Sequence, residues 1–251
     1  MEQPDSILEQ GREAFRQGDW GRTFTLLTSI DKESPLQPAD LELLATAAFM
    51  TGRDRNCINS WSRAHQEYVD AKDLKKGAEC AFWAGMVLFN MGEYAQGSGW
   101  FTRSHRLLDD IPKNCAEKGL ILIPEALQQL QSGDTQKAGE LFIKAGKMEK
   151  QFNNPDLFTL SRLGLGQARI LEEFFAEGTK LLDEAMVSVI AEETSPIVTG
   201  IVYCNVLSMC RKICDMHRAR EWTAAMSRWC DSQSELVPYR GQCLVRRAEI
   251  M

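Results

Sequence analysis

The chain has 251 residues, of which 44% are apolar and 25% are charged, proportions typical of a folded globular protein. No apolar run reaches the roughly 20 residues that a membrane-spanning helix needs, and residues 1–6 are polar and acidic, unlike a signal peptide. We therefore expect a cytoplasmic protein with no membrane contact. Residues 1–203 hold 21 Lys and Arg against 30 Asp and Glu, and residues 204–251 hold 8 against 5, so we expect no direct nucleic-acid binding by this chain alone.

Six short turn signals recur along the chain at nearly constant intervals. A fixed period of 34 to 41 residues is typical of stacked helix-turn-helix units, each packing on its neighbours. We therefore predict one all-α helical-repeat domain over residues 1–251, with a lone helix from about residue 238. The signals are centred on Gly18, Gly52, Gly92, Gly133, Glu173 and Cys214. The predicted helix pairs cover roughly 4–30, 38–71, 74–110, 115–151, 156–190 and 196–231.

Residue size around the turns predicts how the two helices of each pair pack. Seven residues before the turn, and again five residues after it, most side chains are small, which allows two helix axes to approach to about 8 Å. Nine residues after the turn most side chains are large. The small residues are Gly11, Ala45, Gly85, Ala126 and Gly166 before the turn, and Thr23, Cys57, Gly97, Ala138, Gly178 and Ala219 after it. The large ones are Leu27, Trp61, Phe101, Phe142 and Leu182.

Prolines predict where the helices begin. Most of the eight prolines fall between one predicted pair and the next, where a first helical turn tolerates them. Ser195 followed by Pro196 is typical of an N-cap residue with proline at the first helical position. Pro124 is the exception, and we expect it early in the first helix of the fourth pair or at a kink in that helix.

The turns Gly18-Asp19-Trp20 and Gly92-Glu93-Tyr94, together with the paired small residues, resemble tetratricopeptide repeats over nearly the whole chain. The match is weaker in the fifth and sixth units. This resemblance implies a right-handed superhelical solenoid of about six helix pairs plus a terminal helix. It also implies a protein that binds other molecules and has no catalytic residues and no cofactor.

A second resemblance covers residues 202–250, including the stretches 218–223 and 240–250, and the opening residues 11–20. These residues are similar to the helical-repeat region of bacterial LuxR-type transcriptional regulators. The resemblance implies a sensor arm attached to a C-terminal helix-turn-helix domain that binds DNA, a domain not present in this chain. We expect the natural protein to continue past Met251. The alternative is a stand-alone scaffold for protein–protein assembly.

In tetratricopeptide superhelices the first helix of each pair faces the concave groove. Residues three to six positions before each turn should therefore line that groove. We expect a protein, a peptide or a small effector to bind there. Phe15, Phe49, Phe89, Leu130 and Ile170 share one position in five units, and they form either an apolar binding strip or a seam between adjacent pairs. The predicted site residues are Arg12, Phe15, Thr46, Phe49, Met86, Phe89 and Asn90.

The cysteines and histidines suggest a weaker alternative. Cys210, Cys214 and His217 lie close in sequence, but structural zinc sites more often use cysteines two residues apart and need four ligands. Buried, reduced thiols are the simpler interpretation of the eight cysteines, and a metal or redox sensor built on residues 204–243 is the alternative. None of the three histidines has a partner typical of a catalytic arrangement, so we predict no enzyme activity. A homodimer through the C-terminal end is a further prediction.

Overall fold

In the computed structural model, which describes residues 4–109, 111, 114–241, 244, 245 and 248, the chain is helical almost throughout. These described residues contain no β-strand, so the predicted all-α class is confirmed. None of the helices in this part of the chain is long and apolar enough to cross a membrane. The helices are α1 (Pro4–Arg16), α2 (Trp20–Glu33), α3 (Pro38–Met50), α4 (Asp54–Asp70), α5 (Leu74–Asn90), α6 (Tyr94–Asp109), α7 (Ala116–Leu120), α8 (Leu122–Ser132), α9 (Thr135–Phe152), α10 (Pro155–Leu171), α11 (Phe175–Ile190), α12 (Pro196–Lys212) and α13 (Met216–Ser232).

These helices form six pairs in chain order, and α7, α8 and α9 together make the fourth. The chain divides into two compact units: unit 1 contains residues 1–110 and 228–241, and unit 2 contains residues 111–227 and 242–251. Pairs one to three therefore belong to unit 1, and helix α13 contributes residues to both units. Much of the helix predicted from about residue 238 lies outside the described residues, although residues 240, 241, 244, 245 and 248 are helical.

All six predicted turns are present, and each is built in the same way. The residue at the centre of the signal has a positive φ, between 58° at Cys214 and 88° at Gly133. At the fifth turn the N–H of Glu173 donates to the carbonyl of Ile170, and the next N–H donates to the carbonyl of Arg169. This is a Schellman motif, which satisfies carbonyls at the end of the first helix. An aspartate in the next position caps the second helix in pairs one, four and six.

The helices of a pair approach most closely at the predicted small positions. In pair three, a Cβ atom placed on Gly97 would lie 2.4 Å from Cδ2 of Phe89 and 3.1 Å from the carbonyl oxygen of Gly85. A Cβ on Gly85 would lie 2.5 Å from Cε1 of Phe101, the large residue nine positions after the turn. Pair five repeats this packing, with Gly178 only 2.8 Å from the Gly166 carbonyl by the same measure. The predicted alternation of small and large residues therefore fixes how each of these pairs crosses.

Proline begins four of the first helices, α1, α3, α10 and α12, as the sequence predicts. Pro38, Pro155 and Pro196 lie at the first position of α3, α10 and α12, and the Ser195 hydroxyl accepts a hydrogen bond from a backbone N–H of α12. The first helix of pair four is interrupted between α7 and α8. Pro124 lies in the first turn of α8, where its missing N–H cannot continue the hydrogen bonds of α7.

Polar contacts tie consecutive pairs of unit 1 together. The Arg63 guanidinium on α4 donates to the Asp31 carboxylate on α2, with Nη2 to Oδ1 at 2.8 Å, which lowers the pKa of Asp31. His65 is buried on α4, with Nδ1 2.8 Å from the carbonyl oxygen of Gly77 on α5 and the ring edge-to-face with Trp100. Burial lowers the pKa of His65, so the neutral ring is the favoured form at neutral pH.

Candidate functional site

The seven predicted site residues lie on α1, α3 and α5 of unit 1, and most of them are already in contact with the rest of the protein. The Arg12 guanidinium donates two hydrogen bonds to Asp40 on α3, with Nε to Oδ1 at 2.8 Å and Nη2 to Oδ2 at 2.9 Å. The Thr46 hydroxyl donates to a carbonyl of its own helix, Met86 is buried and Asn90 is exposed. Ligand binding by these residues stays a prediction.

The apolar strip three residues before each turn takes part in packing within single pairs. Phe89 lies against Gly97 of its own pair, and Ile170 lies against Gly178, with Cγ1 2.6 Å from a Cβ placed there. Ile170 is buried by this contact. In pairs three and five, the strip residues therefore join the two helices of one pair. One of the two alternatives drawn from the sequence was that they join adjacent pairs.

The weak metal candidate gains no support from the structure. Cys210 is buried, and burial raises the pKa of its thiol to about 11, which disfavours the thiolate that binds metals. Cys214 is exposed at the sixth turn, and Cys243 lies outside the described residues. Within the described part of the chain, no group of three or more His, Cys, Asp and Glu side chains is arranged to hold a metal ion.

Residues 233–239, which we call the strap, cross the turns of pairs one and two within unit 1. The N–H of Ser234 donates to the carbonyl of Gly18, at 3.3 Å, and the N–H of Val237 donates to the carbonyl of Met50, at 2.9 Å. Gly18 is the centre of the first turn, and Met50 is the last residue of α3. A polypeptide segment that is neither helix nor strand, with Glu235 at φ +55°, is therefore bound through its backbone at the edge that two successive turns form.

Three side chains of the strap add to these backbone contacts. The Gln233 amide oxygen accepts a hydrogen bond from Nε1 of Trp20, at 3.1 Å. The Tyr239 ring lies on Phe49, with centroids 6.2 Å apart, and Leu236 is only 1% exposed. Trp20 is itself edge-to-face with a phenylalanine of α1, so two of the predicted strip residues, at positions 15 and 49, lie beneath the strap.

Glycines bring the strap close to the helices. A Cβ placed on Gly21 would lie 2.3 Å from the carboxylate of Glu235, and one on Gly52 would lie 2.8 Å from Cγ1 of Val237. A larger side chain at Gly52 would therefore press against Val237, whereas one at Gly21 would meet the flexible carboxylate of Glu235 first. We define the strap groove as the surface formed by Gly18, Trp20, Gly21, Phe49, Met50 and Gly52.

Unit 2 has an open cleft of about 660 Å³ between the turns of pairs five and six. Apolar side chains form much of its wall, and Phe175 beside it is 49% exposed, unusual for a large apolar residue. The lining residues are Ile170, Leu171, Glu173, Phe175, Ala176, Thr179, Lys212, Ile213, Cys214, Asp215 and Arg218.

The charged groups at this cleft largely balance one another. Arg218 donates to Asp183 at 3.1 Å and to Asp215 at 2.6 Å, and these hydrogen bonds raise the pKa of the guanidinium. The backbone N–H of Arg218 also bonds to Asp215 and lowers the pKa of that carboxyl. Lys212 and Glu173 add one further charge of each sign. The cleft therefore selects apolar groups more strongly than charged ones.

Sequence reasoning missed both the strap and the cleft. The strap lies between the helix predicted to end near residue 231 and the helix predicted to begin near residue 238. Its contact with Trp20 joins residues 213 positions apart. No periodic pattern reports such a distant contact. Two signals were nevertheless present: Gly21, a glycine inside a helix at a position with no role in the repeat, and Phe174 with Phe175 at a turn that normally carries one aromatic residue.

Comparisons with solved structures establish the fold. No protein-family model matches the sequence, and no curated protein matches it significantly. BtubC (BKLC) from P. vanneervenii is similar over 76% of this chain and 81% of its own, with a TM-score of 0.53 and 13% identity. PilF from Pseudomonas aeruginosa is similar over 90% and 91%, with a TM-score of 0.50 and 14% identity.

A third solved structure contains the same type of repeat. It is the Q17M form of a protein from Podosopora anserina, provisionally named as a kinesin light chain, with nearly identical TPR-like repeats. It is similar over 77% of this chain and 100% of its own, with a TM-score of 0.50 and 13% identity. At such low identity these structures show the fold alone. The predicted fold class, a helical solenoid of tetratricopeptide-like pairs, is confirmed.

Proposed function

We propose that this protein is a non-catalytic helical-repeat module that binds an extended segment of a partner protein in the cleft between the fifth and sixth turns. The observation that carries the proposal is the strap in unit 1. There, the edge formed by two successive turns holds a non-helical segment by its backbone. In unit 2 the corresponding edge is an open cleft of about 660 Å³.

The two surfaces correspond position by position when counted from their turns. In the strap groove, two backbone carbonyls accept hydrogen bonds from the strap. One belongs to Gly18, the centre of the first turn, and the other to Met50, two positions before the centre of the second turn. The same count in unit 2 leads to Glu173 and Lys212, and both line the cleft. Trp20 corresponds in this way to Phe175.

The floor of the cleft follows the same correspondence. Gly21 and Gly52, which lie beneath the strap, correspond to Ala176 and Cys214. All four side chains are small or absent, so each surface leaves room for the side chains of a polypeptide that crosses it. This supports an extended peptide, rather than a small effector, as the occupant of the cleft.

The chemistry of the cleft indicates what the segment contains. Apolar side chains at positions 170, 171, 175 and 213 surround the volume, and the charged groups balance. We expect a segment with at least one bulky apolar or aromatic side chain, held by hydrogen bonds from its N–H groups to the Glu173 and Lys212 carbonyls. Because apolar burial provides most of the affinity, binding should change little between low and high salt.

A peptide selection tests the proposal. Random peptides displayed on phage are selected on the immobilised protein, and the peptides recovered are synthesised and their affinities measured by fluorescence anisotropy. The Phe175→Glu variant should bind them at least about tenfold more weakly. Val187→Glu is the matched control, since Val187 is 64% exposed on the same helix and does not line the cleft.

Two results would refute the proposal. One is a selection that yields no peptide binding above that of an unrelated protein. The other is a set of peptides that bind the Phe175→Glu and Val187→Glu variants equally well. Both variants place glutamate on a helix surface, so circular dichroism should show unchanged helix content in each.

We also propose, on the residue resemblance alone, that the module serves as the sensor arm of a LuxR-type regulator. The resemblance of residues 202–250 favours this role over a stand-alone scaffold, although part of that stretch lies outside the described residues. The proposal requires a DNA-binding helix-turn-helix domain in the same polypeptide. Sequencing the gene beyond codon 251 tests it: an in-frame helix-turn-helix domain supports the regulator, and its absence refutes it.

A further inference from the structure

The strap is held in its groove at a small number of points. Its polar contacts with the groove include two backbone hydrogen bonds, to Gly18 and Met50, and one side-chain bond from Trp20. In the middle of the strap, Glu235 and Val237 are exposed. Net hydrogen-bond contributions of roughly 1 kcal/mol each make the polar part of this attachment modest, and the buried Leu236 and Tyr239 side chains add an apolar part.

The points of contact follow a regular spacing. Gln233, Leu236 and Tyr239 are each three residues apart, and they supply an acceptor for Trp20, a fully buried aliphatic side chain and a buried aromatic ring. The residues between them point away from the groove or lie over its glycines. The groove therefore recognises a pattern with few residues, one that segments of other proteins can also contain.

We propose that the strap groove of unit 1 is a second peptide-binding site, which the strap occupies as an internal ligand and from which a partner peptide displaces it. The partner carries a hydrogen-bond acceptor, an aliphatic residue three positions later and an aromatic residue three positions after that, in the non-helical conformation of the strap, with a positive φ at the position of Glu235. The groove adds specificity through Gly21, whose missing side chain leaves room for the Glu235 carboxylate, and through the Trp20 N–H donor.

The covalent link between strap and groove sets how strongly a partner must bind. A segment attached to the same chain has an effective concentration in the millimolar range. If the strap binds the open groove with an intrinsic dissociation constant of about 10–100 μM, a separate peptide would therefore bind the intact protein about 10- to 100-fold more weakly. Displacement thus makes this site selective for partners that match the pattern well or that are locally concentrated.

The experiment uses the strap itself as the probe. A fluorescent peptide with the sequence of residues 231–241 is titrated into the full chain and into a variant with the strap released, Leu236→Asp with Tyr239→Ala. The released variant should bind the peptide about 10- to 100-fold more tightly than the unchanged chain. A control peptide with serine at the positions of Leu236 and Tyr239 should bind neither protein.

A blocking substitution tests whether the peptide enters the groove. Gly21→Leu in the released variant places a side chain where the Glu235 carboxylate lies and should weaken binding. Gly99→Leu is the matched control, because Gly99 lies on α6 with no atom within 4 Å of an added Cβ, and it should leave binding unchanged. If the double variant does not fold by circular dichroism, Tyr239→Ala alone serves as the released form.

Three outcomes would overturn the inference: a folded released variant that does not bind the peptide, equal binding of the serine peptide, or unchanged binding in the Gly21→Leu variant. A fourth is a concentration-dependent dimer of the unchanged chain that the peptide dissociates, since this would assign the groove to the strap of a second copy. Phe175→Glu should not affect this titration, so failure here and failure of the cleft proposal are distinguishable.

Discussion

Two glycine substitutions should change stability in opposite directions although both add the same methyl group to open space. Gly133 has φ +88° at the fourth turn, and Gly99 lies within helix α6. An added Cβ would have no atom within 4 Å at either position. We predict that Gly133→Ala destabilises the protein and Gly99→Ala stabilises it, because backbone conformation is the only property that distinguishes the two sites.

The magnitudes follow from the backbone angles. A side chain in the left-handed region costs roughly 1–2 kcal/mol, and replacing glycine recovers about 0.4–1 kcal/mol by restricting the unfolded chain. Gly133→Ala should therefore lower the free energy of unfolding by about 1 kcal/mol. In the interior of a helix alanine is favoured over glycine, so Gly99→Ala should raise it by about 0.8–1 kcal/mol.

Glu173 provides a third member of this comparison. It has φ +67° at the fifth turn, in the left-handed region that favours glycine. Glu173→Gly should raise the free energy of unfolding by about 0.5 kcal/mol, since glycine relieves the strain but loosens the unfolded chain. Urea denaturation of the three variants measures these changes, and melting temperatures should move by roughly 2–4 °C per kcal/mol. Shifts of Gly133→Ala and Gly99→Ala in the same direction would refute the reasoning.

Three further substitutions or conditions test other contacts. Gly178→Ala should lower the free energy of unfolding, measured by urea denaturation, by about 1–3 kcal/mol, because its Cβ would lie 2.6 Å from Ile170 and 2.8 Å from a backbone oxygen. A decrease no larger than that of Gly133→Ala would contradict this packing. His65 has a lowered pKa, so stability that is complete above pH about 6.5 should fall as the pH drops through the folded-state pKa. His65→Gln should flatten this dependence between pH 7.5 and 5.5, and an unchanged slope would exclude His65 as its source. Arg12→Ala should destabilise the protein by about 1–3 kcal/mol, because it leaves the buried Asp40 carboxylate without its two hydrogen bonds from the guanidinium. If Arg12 served only in ligand binding, the melting temperature would be unchanged.

The sequence predicts the fold well because the repeat depends on contacts between residues that are close in sequence. All six turns were predicted, including those with Glu173 and Cys214 in place of glycine, because a Schellman turn is defined by a few neighbouring residues. The crossing of Gly85 and Gly97 was also predictable, since the two residues lie 12 positions apart around one turn. Contacts of this range follow directly from the spacing of small and large side chains.

The candidate sites were much less predictable, for a physical reason. The strip at positions such as Phe89 and Ile170 has the composition of a binding surface, and only the structure shows that it packs inside pairs. The strap depends on a contact between Trp20 and Gln233, and the cleft depends on two turns 41 residues apart coming together. The local sequence pattern of either segment does not require these distant residues to come into contact.

The turn edge suits peptide binding for a reason that follows from helix chemistry. The last carbonyls of a helix have no partner within it, and Met50, at the end of α3, offers its carbonyl to the strap. Each turn of the array repeats this arrangement, so acceptors recur along the edge wherever neighbouring turns are small enough to let a backbone approach. Lys212, at the end of α12, occupies the same position beside the open cleft. A segment in that cleft would satisfy backbone acceptors that the helix cannot satisfy itself, and this is why binding should depend more on an extended backbone and one apolar anchor than on charge.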